Sequence, residues 1–211
     1  MRNWMCCLLL LSLLPSLQAQ DKKATAILNE VKTTSKSYKT IKIEFTYTMQ
    51  NKDENIDESM PGVLYVKGDS YRLNIAGQDV ICNGKTIWTY IKDANEVQIN
   101  DVEENSDVIV PSRLFTSYDK NYKARFVKET TENDRTVDIL ELTPLEGRSF
   151  SKIELTVNKA NKEVISFVIF DKNGTTFSYI VTRFLHDIPL EPGLFTFNKD
   201  DFPGAEIIDM R

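Results

Sequence analysis

The sequence predicts a mainly β protein in which a curved antiparallel sheet is covered on one side by an amphipathic helix. Three observations carry that reading. Apolar residues recur with period two from Ile41 almost to the C-terminus. Hairpin signals, Asn83-Gly84 and Lys172-Asn173-Gly174 among them, separate the alternating runs. One window ahead of Ile41 has helical spacing, with Ala24, Ile27, Leu28 and Val31 at i, i+3, i+4 and i+7.

The elements follow in order. Arg2, the apolar run over residues 6–14 and the small-residue pattern Ser16-Leu17-Gln18-Ala19 read as an export signal cut after Ala19. The run is far short of the about 20 apolar residues that a membrane span needs. Cys6 and Cys7 precede it, which argues against a lipidated cysteine at the cut. The remaining residues 20–211 are one domain's worth of chain. The helix is expected over residues 24–36, weakened at its end by Thr33-Thr34-Ser35.

In the first strand Ile41, Ile43, Phe45, Tyr47 and Met49 alternate with Lys42, Glu44, Thr46 and Thr48, giving one apolar and one wet face. Residues 51–59 are acidic and lack glycine, so a mobile loop is expected there. Short strands are expected at 62–66, 71–75 and 78–82, then a hairpin on Asn83-Gly84 in a type I′ turn, where both residues take positive φ. In the next strand Trp88 and Tyr90 share one face, and Ile87, Thr89 and Ile91 the other. Residues 92–95 form a second turn. A strand apolar on both faces is sandwiched between two layers or lines an enclosed cavity. The cavity expected here is flanked by Trp88 and Tyr90 on one side and by Phe45 and Tyr47 on the other.

Residues 101–107 read as a solvated acidic loop and residues 110–117 as a short helix. Five more strands are expected at 123–128, 136–143, 151–158, 163–171 and 175–184. Residues 194–198 suggest a last edge strand, and Pro189, Pro192 and Pro203 an irregular tail. About ten strands joined by hairpin-length links make a meander, which curls into a barrel or half-barrel. Its open side is where the helix can bury its apolar stripe.

Composition excludes several functions. After the signal, 25 basic residues face 31 acidic ones with no basic cluster, so nucleic acid is a poor partner. Cys82 is the single cysteine left, so no intramolecular disulfide forms. His186 is the sole histidine, and there is no HExxH, GxSxG, phosphate loop or dinucleotide fingerprint. Neither a catalytic centre, a metal site nor a cofactor is expected, and the protein is read as no enzyme.

The ordered set Gly62-Val63-Leu64-Tyr65-Val66-Lys67, Tyr71-Arg72-Leu73 and Asn83-Gly84-Lys85-Thr86-Ile87-Trp88-Thr89-Tyr90 resembles the outer-membrane lipoprotein carrier (LolA-like) family. The likeness continues through Phe170-Asp171-Lys172-Asn173-Gly174, Phe195-Thr196-Phe197 and Ile207-Ile208-Asp209, and so over the whole mature chain.

The resemblance implies an incomplete antiparallel β-barrel, a half-barrel whose apolar cavity lies under covering helices. It implies a monomeric periplasmic chaperone that carries acylated lipoproteins from the inner to the outer membrane. Its partners would be an inner-membrane lipoprotein-releasing transporter and an outer-membrane acceptor. The alternative is a periplasmic lipid or lipoprotein sensor that regulates an envelope-stress response. By similarity Phe45, Tyr47, Leu64, Leu73, Trp88 and Tyr90 are cavity candidates, Tyr71 a partner contact at the mouth, and Ile27, Leu28, Val31 and Leu114 lid residues. The chain departs from the family at Lys67-Gly68-Asp69, where members commonly have Lys-Arg-Pro with an arginine that latches the lid; Arg72 is the candidate substitute.

Overall fold

The computed structural model describes residues 16–102, 122–145 and 147–211. Among these, one helix, α1 (Ser16–Ser37), lies on a single open sheet of twelve strands. The strands are β1 (Ile41–Asn51), β2 (Ile56–Lys67), β3 (Ser70–Ile75), β4 (Gln78–Cys82), β5 (Thr86–Ile91) and β6 (Glu96–Asp101). They continue as β7 (Tyr122–Glu132), β8 (Arg135–Pro144), β9 (Phe150–Asn158), β10 (Val164–Asp171), β11 (Thr176–His186) and β12 (Glu206–Asp209).

The order across the sheet is β12-β6-β5-β4-β3-β2-β1-β11-β10-β9-β8-β7. The single meander expected from the chain is therefore two, β2–β6 and β7–β11, with β1 between them pairing both β2 and β11. The sheet curls without closing, as a half-barrel.

The apolar stripe expected for the helix is what α1 buries: Ala24, Ile27, Leu28 and Val31 are among the least accessible side chains of the protein. The helix is longer than expected at its start and runs through Ala19. It ends where Ser37 Oγ donates to the Thr34 carbonyl, 2.7 Å away, and Lys36 stands in the last turn, where a cation is favoured.

Three local expectations are corrected. The acidic stretch 51–59 is mostly strand, because β2 already begins at Ile56. The β1–β2 turn needs no glycine: Asn55 takes φ 54°, and the buried Asn51 accepts from the Asp53 and Glu54 amides while donating to Thr175 Oγ1. The Asn83-Gly84 link is not type I′, since of the two residues Gly84 alone has positive φ. Asn83 Oδ1 instead accepts from the Lys85 and Thr86 amides, an Asx turn. Residues 194–198 form turns rather than a strand, and the last strand is β12, beyond Pro203 and parallel to β6. The expected helix at 110–117 and most of the acidic loop at 101–107 lie outside the described residues, although Asp101 itself closes β6.

Register sorts the side chains onto two faces, because directly opposed residues share a side. Ile41, Ile43, Phe45 and Tyr47 stand opposite Val66, Leu64, Gly62 and Met60. The row continues through Tyr71 and Leu73, Cys82 and Val80, and Ile87. On the other flank it reaches Phe184, Val181, Tyr179 and Phe177, then Phe167 and Ile169. This face carries α1 and is the inner face.

Two clusters divide it. Under α1, Leu140, Leu142, Ile153, Leu155 and Val157 form a closed core with the helix stripe. Beside it Ile41, Ile43, Phe45, Leu64, Tyr71 and Cys82 form a second core edged by half-buried Tyr47, Leu73, Ile75, Val80 and Ile87. A third cluster, Ile81, Val97 and Phe202 with Trp88, Tyr90, Ile99 and Phe197, lies on the outer face under the C-terminal tail.

Candidate functional site

Where the end of α1 meets β1, β2 and β11, the inner face opens into a cavity of about 220 Å³. Its floor is Ile41, Ile43, Leu64, Val66 and Phe184, and its rim is Lys32, Ser35, Lys36, Gly68 and Asp69. Period two places Ile41 and Ile43 on this floor, and pairing with β2 brings Leu64 and Val66 beside them. A smaller void of about 20 Å³ lies deeper, between Phe45, Phe167, Tyr179, Val164 and Val181. Ile43 and Leu64 line both, so they are the partition between the two spaces.

Beyond that partition the inner face is aromatic. Phe167 stacks on Tyr179 at 4.3 Å between centroids, and Tyr179 meets Phe45 at 5.7 Å and Tyr47 at 5.1 Å. Burial, with the Tyr47 phenol beside it, pushes the Tyr179 phenol well up. Burial also raises that of Tyr47, with Glu58 adding to it. Both hydroxyls therefore stay neutral, and the inward row from Ile41 to Tyr47 is uncharged, with the Glu58 carboxylate near its Tyr47 end.

The joint between α1 and β1 is polar. The Tyr38 ring stacks on His186 at 4.1 Å, and His186 Nδ1 lies 3.0 Å from Asp187 Oδ2. Asp187 Oδ1 accepts from the Lys39 amide at 2.7 Å, and Thr40 Oγ1 donates to the Ile188 carbonyl at 2.7 Å. The Lys39 amide bond and His186 hold the Asp187 carboxyl below the usual carboxylate range. Burial pushes that of Glu163, which also bonds Tyr38, above it.

The sequence candidates divide between the faces. Phe45, Tyr47, Leu64 and Leu73 come together on the inner face. Ile27, Leu28 and Val31 lie on the covering helix, over the neighbouring core. Tyr71 is also inner but only 5% exposed, too deep for a partner contact at a mouth. Trp88 and Tyr90 point the other way: Trp88 stacks on Phe197 at 5.7 Å and Tyr90 meets Phe202 at 4.8 Å. The expected cavity shared by these two with Phe45 and Tyr47 does not form as such: Phe45 and Tyr90 both border one hollow between β1–β4 and the tail, whereas Trp88 and Tyr47 do not border it. Leu114 lies outside the described residues.

Arg72 cannot stand in for a lid latch. It lies on the outer face, where its Nε and Nη2 donate to Asp79 at 3.0 and 2.6 Å. That bond raises the guanidinium further still. A wider hollow of about 940 Å³ on this outer face, between β1–β4 and the tail, is lined by Lys42, Glu44, Asn74, Asp79 and Asp201 among others. Its lining mixes these groups with Phe45, Ile75, Tyr90 and Phe202.

Sequence reasoning missed Lys32, Lys36, Ile41, Ile43, Val66, Phe167, Tyr179 and Phe184. The alternation from Ile41 was a signal for the first two strand residues. Nothing local marks Tyr179 or Phe184, which reach the site only through the β1–β11 pairing. Among the described residues no helix is long and apolar enough to cross a membrane, and no group of His, Cys, Asp or Glu could hold a metal ion.

An open half-barrel with one helix over a mainly apolar inner face defines a class of folds that shelter apolar surface. Residues 36–198 match the model of the family described as outer membrane lipoprotein carrier protein LolA, and the chain belongs to that family. The matched span starts at the last residues of α1 and stops short of β12. Among solved structures, the chain is similar to an uncharacterized conserved protein from Thermus thermophilus, at 17% identity over 89% of this chain and 99% of that one, with a TM-score of 0.60. It is also similar to a LolA superfamily protein from Nitrosomonas europaea, at 13% identity over 82% of this chain and 97% of that one, with a TM-score of 0.44. No protein of curated function matches the chain.

Proposed function

We propose that the protein is an exported, non-enzymatic chaperone that shields the acyl chains of lipoproteins and carries them between the inner and outer membranes. The observation that supports this most is the inner face itself. From Ile41 to Tyr47, one strand presents an uncharged row that starts at an open cavity and runs about 20 Å, at roughly 3.4 Å per residue. That is comparable with the roughly 15 Å one leaflet's chains occupy in a bilayer core. Membership of the lipoprotein carrier family supports a lipid or lipoprotein as the occupant. Phe45, Tyr47, Leu64 and Leu73 are the contact surface in this reading, and α1 the lid.

A triacylated cargo carries about 45 methylenes, each contributing about 0.8 kcal/mol on leaving water. Net affinity is capped near 18–21 kcal/mol, yet even that forbids escape into water on a useful timescale. Cargo passes instead to a docked acceptor while α1 moves aside. The cavity of about 220 Å³ is smaller than the usual ligand pocket, so loading requires that movement.

The test supplies the exported form, beginning at Gln20 and verified by intact mass, to lipoprotein-loaded spheroplasts. The expected result is lipoprotein released as a soluble one-to-one complex. If a matched family member extracts lipoprotein and this protein does not, the carrier reading falls and a lipid sensor takes its place.

A further inference from the structure

We infer that the cavity beneath the end of α1 is a seat for one acyl chain that ends in an anionic group, a carboxylate or phosphate held at the rim by Lys32 and Lys36. This rests on the acyl-binding reading above and adds the charge at the end of the chain. The two lysines are four residues apart and so lie on one side of α1, next to the buried stripe that ends at Val31. Both line the cavity, with Ser35 between them as a hydroxyl donor. Against these two cations the lining holds, among the described residues, one carboxylate, Asp69. A cationic excess there is notable in a chain of net charge −5.

The floor immediately below carries no charge: Ile41, Ile43, Leu64, Val66 and Phe184. Long lysine stems lie along apolar surface and keep the ammonium in water, which suits a charge at a rim above such a floor. The same geometry disfavours a cationic head, which would meet two ammonium groups, and gives a neutral head no charge-assisted bond. The volume admits part of one chain rather than three, so the seat holds a single-chain amphiphile when α1 is in place. A carboxylate and a phosphate head share the chemistry, and the experiment separates them.

Delipidated protein is titrated with three probes of one chain length: a fatty acid, its methyl ester and the alkyl phosphate. Binding is read calorimetrically below the critical micelle concentration of each. The acid or the phosphate is expected to bind at least tenfold more tightly than the ester, with the tighter of the two naming the head. Lys32→Glu with Lys36→Glu is expected to abolish the preference while the ester binds as before. Ester binding thereby reports that the variant is folded and its floor intact. Lys36 also complements the helix dipole, so Lys32→Glu alone is measured as well; the preference should fall while the ester still binds. Equal affinity for acid, phosphate and ester overturns the anionic seat and leaves acyl binding standing. Absence of binding by all three overturns the acyl-binding reading itself.

Discussion

The ring of Phe45 covers Gly62 across the β1–β2 pair so closely that a Cβ on Gly62 would stand 2.4 Å from Phe45 Cζ. The glycine is there to let an aromatic side chain lie flat on the sheet at the wall of the deeper void. Any side chain at 62 must push that ring.

Gly62→Ala is therefore expected to destabilise the protein by about 1–3 kcal/mol, the usual cost of overpacking. The adjoining void of about 20 Å³ gives the ring somewhere to go, which favours the lower end. Urea unfolding with an unchanged m-value would measure it. A variant as stable as the parent would mean that Phe45 is not held against the sheet.

Trp88 is the only tryptophan other than Trp4, and it lies on the outer face against Phe197. Its emission is expected to stay unchanged when an acyl ligand enters the inner cavity. Phe197→Ala should shift it to the red and cost about 2 kcal/mol as the tail loosens. A shift on ligand binding, with Phe197→Ala silent, would place Trp88 at the ligand after all.

Leu28 is 3% exposed between α1 and the sheet. Leu28→Ala is expected to cost about 2–5 kcal/mol of stability. Hydrogen exchange should rise first in α1, while the β8–β10 amides keep their protection. Uniform loss of protection would show that helix and sheet open as one unit rather than as lid and body.

Glu163 and Asp187 flank Tyr38 with opposite pH dependence. The Glu163 carboxyl titrates above its ordinary value, so the folded protein favours its neutral form. Its contribution is complete at low pH and is lost as pH rises through the folded value. Asp187 titrates below its ordinary value, so its contribution is complete above the usual carboxylate range and is lost as pH falls through the folded value. Glu163→Gln is expected to gain stability over the parent at pH 7, and the gain should vanish near pH 4. Asp187→Asn should lose stability at pH 7 and converge with the parent in acid. Thermal midpoints across that range measure both; parallel pH profiles for the two variants would contradict the assignment.

Much of the architecture was legible because its signals are local. A helix needs an apolar stripe, and 24, 27, 28 and 31 supply one. Strands need alternation, and the run from Ile41 to Met49 supplies that over most of β1. The family likeness rested on the same local runs, in their order along the chain.

What local signals do not carry is the partner across a long connection. Whether Trp88 and Tyr90 face the helix or the tail depends on which way the paired strands turn their common rows. The sequence says only that the two residues share a side. The link of β1 to β11, more than a hundred residues apart, brings Phe184 and Tyr179 into the site and splits one meander into two. The tail strand escaped notice because a four-residue edge strand past a proline has almost no periodicity to show. Composition and spacing by themselves determined a helix and a curled sheet. Tertiary pairing alone decided which apolar face is sheltered, because a sheet has two faces and only long-range contacts say which one the helix covers.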